Sequence, residues 1–539
     1  MFPNRLLLLV LVFIGAKALA EMATSSKEVQ QGQGTDSPRR VEVAILHFTD
    51  THAQVKEHPE LFWSDDHSRE ELTQAGGFAR LYTVVEHMRQ QYAGRVLLLD
   101  GGDTIQGSAL GVFSKGKGLV PILNFLGIDG AVPGNWEVVY GVDSLKQVTA
   151  MLNYPMIAAN IVDQATKQLA FAPYKIYERG GIKIAVIGYT DPEVPERQPP
   201  SYSKGFSYLR DDVIQPIVDD IRNNKKADVI ILLSHIGLPK AVELSSRIKG
   251  IDLHLSGDTH ERTYTPILKN HWVVESGAFT SFLGKAILVV EEGKVVDKKW
   301  ELLELRAERY PEHTELKRII DKAVAPIFKK LSRKIGETKD PLFRYGVNQT
   351  SLDMILSDAI REATGADIGF SNGFRFAPPL VPGPILEWDL FTIYPVNMPL
   401  RVGEVTGKQL WDWWEKEIEH VYSQDPKKLF GGWLPRPSGL TIRFLANAPR
   451  GQRVKEILIH GKPIDLQKTY SVGACIREGD PENRVCRIPD IKNPRDFTID
   501  AHTAVKNYLK KFGPLREPAQ LRVIAEDLPT IVRSQYYRR

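Results

Sequence analysis

Five apolar runs, each closed by acidic, amide or histidine side chains, constrain this 539-residue chain more than any other feature. Val43-Ala44-Ile45-Leu46 leads to Asp50-Thr51-His52, Val96-Leu97-Leu98-Leu99 to Gly102-Asp103, and Ala131-Val132 to Gly134-Asn135. Further on, Val229-Ile230-Ile231-Leu232-Leu233 leads to Ser234-His235, and Ile251-Asp252-Leu253-His254-Leu255 to Gly257-Asp258-Thr259-His260. Short continuous apolar runs of this kind read as buried strands, and the ends of adjacent strands are where a fold brings distant residues together.

The chemistry follows from the residue types. Carboxylate oxygens and imidazole nitrogens hold hard or borderline divalent metals, and a carboxylate can span two ions. Asp103 is the expected bridge. Two ions roughly 3.5–4 Å apart share a water, lower its pKa and clamp a tetrahedral centre, so the expected nucleophile is a metal-bridging hydroxide and not a side chain.

Composition is consistent with an ordinary globular chain. It is 42% hydrophobic and 25% charged with a net charge of +4, and no long basic run occurs, which argues against a nucleic-acid partner. Arg5, the apolar stretch 6–16 and Ala18-Leu19-Ala20 read as a signal peptide over 1–20, implying a periplasmic or secreted protein. The apolar stretch is well short of the roughly 20 residues that span a bilayer, so no membrane anchor is expected. A Ser-, Gln- and Gly-rich leader follows over 21–40. Cys475 and Cys486 are the only cysteines, and their closeness in an exported chain predicts a disulfide.

Alternation of apolar runs with amphipathic stretches predicts an α/β domain over 41–308. Leu316, Ile319, Ile320, Val324, Ile327, Phe328 and Leu331 at helical spacing predict a linker helix within 309–335. A second α/β domain is expected over 336–528, with a Trp-rich helix around Trp411, Trp413 and Trp414 and strands at Leu440–Phe444 and Val454–Ile459; 529–539 form a tail.

The order Asp-x-His, Gly-Asp, Gly-Asn, Ser-His and Gly-x-Thr-His resembles the binuclear metallophosphoesterase superfamily, and within it the exported 5′-nucleotidase family and its relatives the sulfur-oxidation thiosulfohydrolases. Ser371-Asn372-Gly373-Phe374-Arg375 and Gly431-Gly432-Trp433 resemble that family's carboxy-terminal substrate-binding segments. The resemblance implies a layered β-sandwich flanked by helices, joined through a linker helix to a second α/β domain that binds substrate. It implies that Asp50, His52, Asp103 and His260 hold one divalent ion and Asp103, Asn135, His235 and Asp258 the other, with Asn372, Arg375 and Trp433 on a small anionic substrate. Mn²⁺ is favoured over Mg²⁺ or Zn²⁺, because Asp258 stands where the family has histidine and an anionic oxygen suits a harder ion.

Two departures bear on substrate. The nucleotidases have Gly-Asn-His-Glu-Phe-Asp, whose His-Asp pair assists the leaving group; here the sequence is Gly134-Asn135-Trp136-Glu137-Val138-Val139, closer to the thiosulfohydrolases. The nucleotidases' second base-stacking aromatic is also missing from Gly473-Ala474-Cys475-Ile476-Arg477. The first expectation is a two-metal hydrolase of a small phosphoester, with nucleotides among the candidates. The second is a thiosulfohydrolase releasing sulfate from a thiosulfonate on a carrier protein. A metal-bound binding protein that has lost catalysis is the third.

Overall fold

The computed structural model describes residues 40–66, 68–371, 377–430 and 432–528. The expected signal peptide, leader and tail lie outside them, as do Asn372 and Arg375. The first domain is built on two sheets packed face to face. One runs in the order Lys294–Glu304, Phe282–Glu291, Arg40–Phe48, Val96–Asp100, Gly130–Ala131; the other in the order Ile267–Leu268, Trp272–Glu275, Leu253–Gly257, Val229–His235, Ile182–Thr190, Tyr174–Arg179. Val43, Ile45, Leu97 and Leu99 of the first sheet meet Val186, Ile231, Leu233 and Leu253 of the second in one apolar core.

Alternate residues of the same strands face outward and are buried as well. Ala44, Leu46, Phe48 and Leu98 pack under the helices Phe78–Gln91, Val120–Leu126 and Thr314–Leu331. Ala185, Ile187, Ile230 and Leu232 pack under Ile214–Asn223 and Leu238–Arg247. Burial on both faces explains why the strands read as continuous apolar runs instead of alternating ones. Arg40–Phe48, Val96–Asp100 and Gly130–Ala131 are mutually parallel, as are Ile182–Thr190, Val229–His235 and Leu253–Gly257, so the carboxyl ends within each sheet share one edge.

The expected linker helix spans Thr314–Leu331, and the His313 side chain caps it by accepting from Leu316 N. It is no free connecting rod. Leu316, Ile320 and Val324 belong to the first domain's outer core, and Lys334–Thr338 already pairs with Gly383–Leu386 of the second domain. That domain carries a five-stranded mixed sheet, ordered Arg436–Ser438, Ile368–Ser371, Thr469–Cys475, Pro399–Thr406, Lys492–Asp500, and a four-stranded sheet containing Leu440–Phe444 and Val454–Ile459. The helix Gly407–Tyr422 starts at a capping box made by Thr406 and Gln409. It buries Trp413 and Trp414 in the core and leaves Trp411 half-buried, as the sequence pattern suggests.

The expected disulfide is absent: Cys475 and Cys486 are both free thiols. Cys475 ends a sheet strand and packs near Leu400 and Ala504, whereas Cys486 sits in the core under the Trp-rich helix, so the two thiols are neighbours that face different packing clusters and are not bonded. Among the described residues no helix is long and apolar enough to cross a membrane.

Candidate metal centre

All seven side chains expected to hold metal come together at the shared strand edge of the first domain. His235 ends the strand Val229–His235; the others lie within a few residues after a strand end. His52 Nε2 and His260 Nε2 face each other at 3.1 Å. Asp103 Oδ2 lies between two of the histidines, 3.2 Å from His235 Nε2 and 3.9 Å from His52 Nε2. Asp50 Oδ1 is also shared, at 3.4 Å from His260, 3.8 Å from His235 and 3.9 Å from His52. The Asn135 side-chain amide lies 3.3 Å from His235 Nε2 and reaches the Asp103 carboxylate. Two groups of close-set donors emerge, Asp50 with His52 and His260, and Asp50 with Asp103 and His235.

The surroundings fix which atoms face the centre. His235 Nδ1 lies 2.7 Å from the Gly101 carbonyl and His52 Nδ1 3.1 Å from that of Gln106, so each ring donates through Nδ1 and keeps the Nε2 lone pair inward, the orientation of a metal-bound histidine. Asp50, His52, Asp103, Asp258 and His260 all have positive φ, between 46° and 98°. Each such residue costs of order 1–3 kcal/mol, and strain of that kind persists where a site demands it. The glycines of the motifs make room: a Cβ on Gly134 would collide with the Asp103 carboxylate, and one on Gly257 with Thr49 Oγ1.

The electrostatics call for positive charge. Burial works to lower His235, but Asp103 and Asp50 carry it well above the ordinary histidine value. Burial works to raise Asp50, yet His235 and His260 hold it well below the usual carboxylate range. A fully buried set of oxygen and nitrogen donors, oriented inward and drawing in cations, fits divalent metal.

Glu137 was not assigned a role from sequence, although it stands in the Gly-Asn-Trp-Glu motif. It accepts from the backbone N–H groups of Asp103 (2.9 Å), Thr104 (2.7 Å) and Gly134 (2.6 Å), tying the Asp103 and Asn135 loops together. Burial, reinforced by Asp103, pushes its carboxyl up to about 8. Asp100 works similarly inside its own loop, accepting from Gly102 N and Thr104 Oγ1.

Asp258 stands apart from the other six. Both of its oxygens are taken by Arg197, Nη1 to Oδ2 at 2.9 Å and Nη2 to Oδ1 at 2.7 Å, and Arg197 Nη1 also donates to Asp191 at 2.6 Å. Burial works to raise the Asp258 carboxyl, but Arg197 and His235 hold it below its ordinary value. Arg197 closes the four-residue helix Val194–Arg197 in a proline-rich loop, where no sequence pattern marked it.

The second domain roofs the centre. Tyr345 stacks on His260 with ring centroids 5.7 Å apart and 6° between planes, and its hydroxyl donates to the Thr259 carbonyl at 2.9 Å. Trp433 sets its edge against both rings, at 6.1 Å from His260 and 6.2 Å from Tyr345. Arg477 Nη2 donates across the domain boundary to the carbonyls of Glu196 (2.8 Å) and Gln198. The pocket between the domains is lined by Asp103, Asn135, Trp136, Arg197 and Asp258 on one side and by Val396, Met398, Phe430, Trp433, Arg477 and Arg487 on the other.

Residues 43–262 match the calcineurin-like phosphoesterase family and residues 334–474 the 5′-nucleotidase C-terminal domain. With the site geometry, these matches define the chain as a metal-dependent hydrolase of the calcineurin-like metallophosphoesterase class. More particularly, it belongs to the two-domain proteins in which that domain is joined to a 5′-nucleotidase C-terminal domain. Among curated relatives it is 24% identical to protein UshA of Yersinia enterocolitica, over 89% of this chain and 93% of that one. It is 31% identical to rat 5′-nucleotidase over 42% of this chain and 39% of the relative. Among solved structures it resembles the sulfate thiohydrolase SoxB of Thermus thermophilus, with TM-score 0.81, 24% identity and coverage of 92% and 98%. It also resembles a 5′-nucleotidase precursor from the same species, with TM-score 0.77, 21% identity and coverage of 90% and 100%.

Proposed function

We propose that the protein is an exported two-metal hydrolase acting on a small anionic phosphoester whose leaving group departs without a proton from the protein. The observation that carries this is Trp136. It lines the pocket beside Asp103 and Asn135, packs against Ala278 and Phe279, and donates its backbone N–H to Asp103 Oδ1 at 2.7 Å. An indole donates a hydrogen bond but shuttles no proton near neutral pH. Burial pushes the pocket's Tyr202 hydroxyl and Cys475 thiol up to about 12, far from the near-neutral value at which general acid catalysis is most efficient.

Asp50, His52, Asp103 and His260 would hold one ion and Asp103, Asn135 and His235 the core of the other. Two such ions activate water and neutralise charge on the group under attack. Arg477 and Arg487 in the pocket favour an anion. Arg344, buried over the Tyr394 ring with neither Nη atom hydrogen-bonded among the described residues, adds positive charge behind that wall. Arg5, the apolar stretch 6–16 and Ala18-Leu19-Ala20 support export to the periplasm or medium.

A thiosulfonate on a carrier protein is the second reading. Water adds to sulfur, the sulfur–sulfur bond breaks, and sulfate and a carrier thiol result. A thiol of pKa about 8.5 leaves far more readily than an alcohol, so Trp136 is no handicap there. Phe430, Ile476 and Arg477 line the same pocket, and the last two offer no ring to stack on a base, which favours a substrate without one.

The test is a comparison of the Mn²⁺-loaded mature chain on an aryl phosphate, a nucleoside monophosphate and a peptide bearing S-sulfocysteine. The expected order puts the aryl phosphate far above the nucleotide. Trp136→His should raise nucleotide turnover by about 10²-fold or more while leaving the aryl phosphate nearly unchanged. Faster release of sulfate than of phosphate would establish the second reading, and efficient nucleotide hydrolysis by the unmodified chain would overturn the role given to Trp136.

A further inference from the structure

We propose that Arg197 competes with the second metal ion for Asp258, so that this half of the centre fills only when the ion displaces the guanidinium. The inference rests on the two-metal reading above and goes beyond it. Of the seven side chains brought to the centre, Asp258 is the one with both carboxylate oxygens engaged by a cation, in a paired bidentate geometry at 2.7 and 2.9 Å. Such fork-to-fork pairs are among the stronger polar contacts, and this one is largely withdrawn from water: the side chains are 11% and 7% exposed. Asp258 Oδ1 stays 3.8 Å from His235 Nε2, whereas Asp103 Oδ2 approaches to 3.2 Å. Neither group of close-set donors includes Asp258.

Arg197 is itself firmly held. Asp191 fixes Nη1, Lys240 Nζ lies 3.5 Å from the same Asp191 oxygen, and Arg477 of the second domain grips the backbone on either side of Arg197 through the Glu196 and Gln198 carbonyls. A guanidinium fixed there repels any cation placed among Asp103, Asn135 and His235, besides withholding a ligand from it. Arg197 spends its contacts on Asp191 and Asp258 and none on Asp50, His52 or His260, so the competition falls on the second position and the centre fills in two unequal steps.

Titration of the metal-free chain with Mn²⁺, following free Mn²⁺ by electron paramagnetic resonance, reads both steps without any assay of activity. The wild-type chain should show two dissociation constants at least 30-fold apart. Arg197→Gln should tighten the weaker step at least tenfold and leave the tighter one within threefold. Because Arg197→Gln leaves Asp191 and Asp258 without their partner and can cost folding, Asp258→His in the presence of Arg197 is the second variant. An imidazole forms no fork pair with arginine, so it too should tighten the weaker step. Two equally tight sites in the wild type, or no tightening in either Arg197→Gln or Asp258→His, would overturn the competition. Failure to bind Mn²⁺ at all would instead overturn the metal reading beneath it.

Discussion

The two domains contribute to one pocket by opposite means. The first supplies every expected metal ligand from strand ends, with histidines locked by backbone carbonyls, loops tied through Glu137, and left-handed backbone at five of the seven positions. The second supplies rings and guanidiniums, Tyr345, Trp433, Phe430, Arg477 and Arg487, from loops and strand ends that lean over the centre. Placement accurate to fractions of an ångström belongs to chemistry done on ions, and it comes from a scaffold of parallel strands. A roof that only has to recognise and cover a substrate is built from fewer constraints. Under the proposed function, one half would set the reaction class and the other would select what reacts.

The comparison breaks most sharply at Asp103. Asp103→Asn removes the carboxylate shared between His52 and His235, and it should lose bound Mn²⁺ by elemental analysis together with at least about 10³-fold of the hydrolysis rate. Metal retained at the wild-type stoichiometry would show that Asp50, which reaches all three facing histidines, does the bridging instead.

The roof should answer differently. Trp433→Ala removes an edge contact to His260 and Tyr345, worth about 1 kcal/mol for an aromatic pair. Steady-state kinetics should show KM raised several-fold with metal content intact. A loss of metal in that variant would mean that the roof is part of the metal site and that the two halves do not divide the work.

Acid gives the smallest effect and separates the halves by degree. Outside the metal cluster the first domain buries His47, His254 and His271 uncharged. Burial lowers His47 to about 3 and His271 to about 4, and carries His254 well below the ordinary value. Among the described residues the second domain has two counterparts, the buried His502, lowered in the same direction by burial, and the half-buried His420, lowered to about 4. A histidine with a depressed folded pKa is protonated first in the unfolded chain. Its contribution is thus complete above about pH 6.5 and is lost as pH falls toward 4, at about 1.4 kcal/mol per pH unit for each residue. Hydrogen exchange followed from pH 7 to 5 should show the first domain losing protection sooner, and His271→Gln should lessen that slope. Equal loss in both domains would remove the distinction.

Much of the first domain is legible in the sequence. Strands buried on both faces announce themselves as unbroken apolar runs, so the ends of those runs point to Asp50, His52, Asp103, Asn135, His235, Asp258 and His260. The Trp-rich helix and the strands Leu440–Phe444 and Val454–Ile459 follow from periodicity alone. Long-range pairing is not legible. Arg197 meets Asp258 from 61 residues away, in a loop whose prolines say only that it is a loop. Tyr345 reaches His260 from the other domain, and neither residue's neighbours in sequence hint at the partner. The cysteines mislead for the same reason, since spacing along a chain does not tell which core each side chain enters. Glu137 is in view within its motif, but its task lies in three backbone N–H groups that only the folded loops bring together.

The stacking of Tyr345 on His260 carries a consequence for exchange. A ring set parallel to a ligand's imidazole and offset from it, anchored by its own hydroxyl to the neighbouring backbone, covers part of that side of the centre. Asp103, Asn135, Asp258 and His260 still open onto the pocket between the domains, so an ion keeps one way out and the stacked ring narrows its choice. Tyr345→Ala should then speed the loss of Mn²⁺ to a chelator, and an unchanged rate would show that the ring leaves exchange alone.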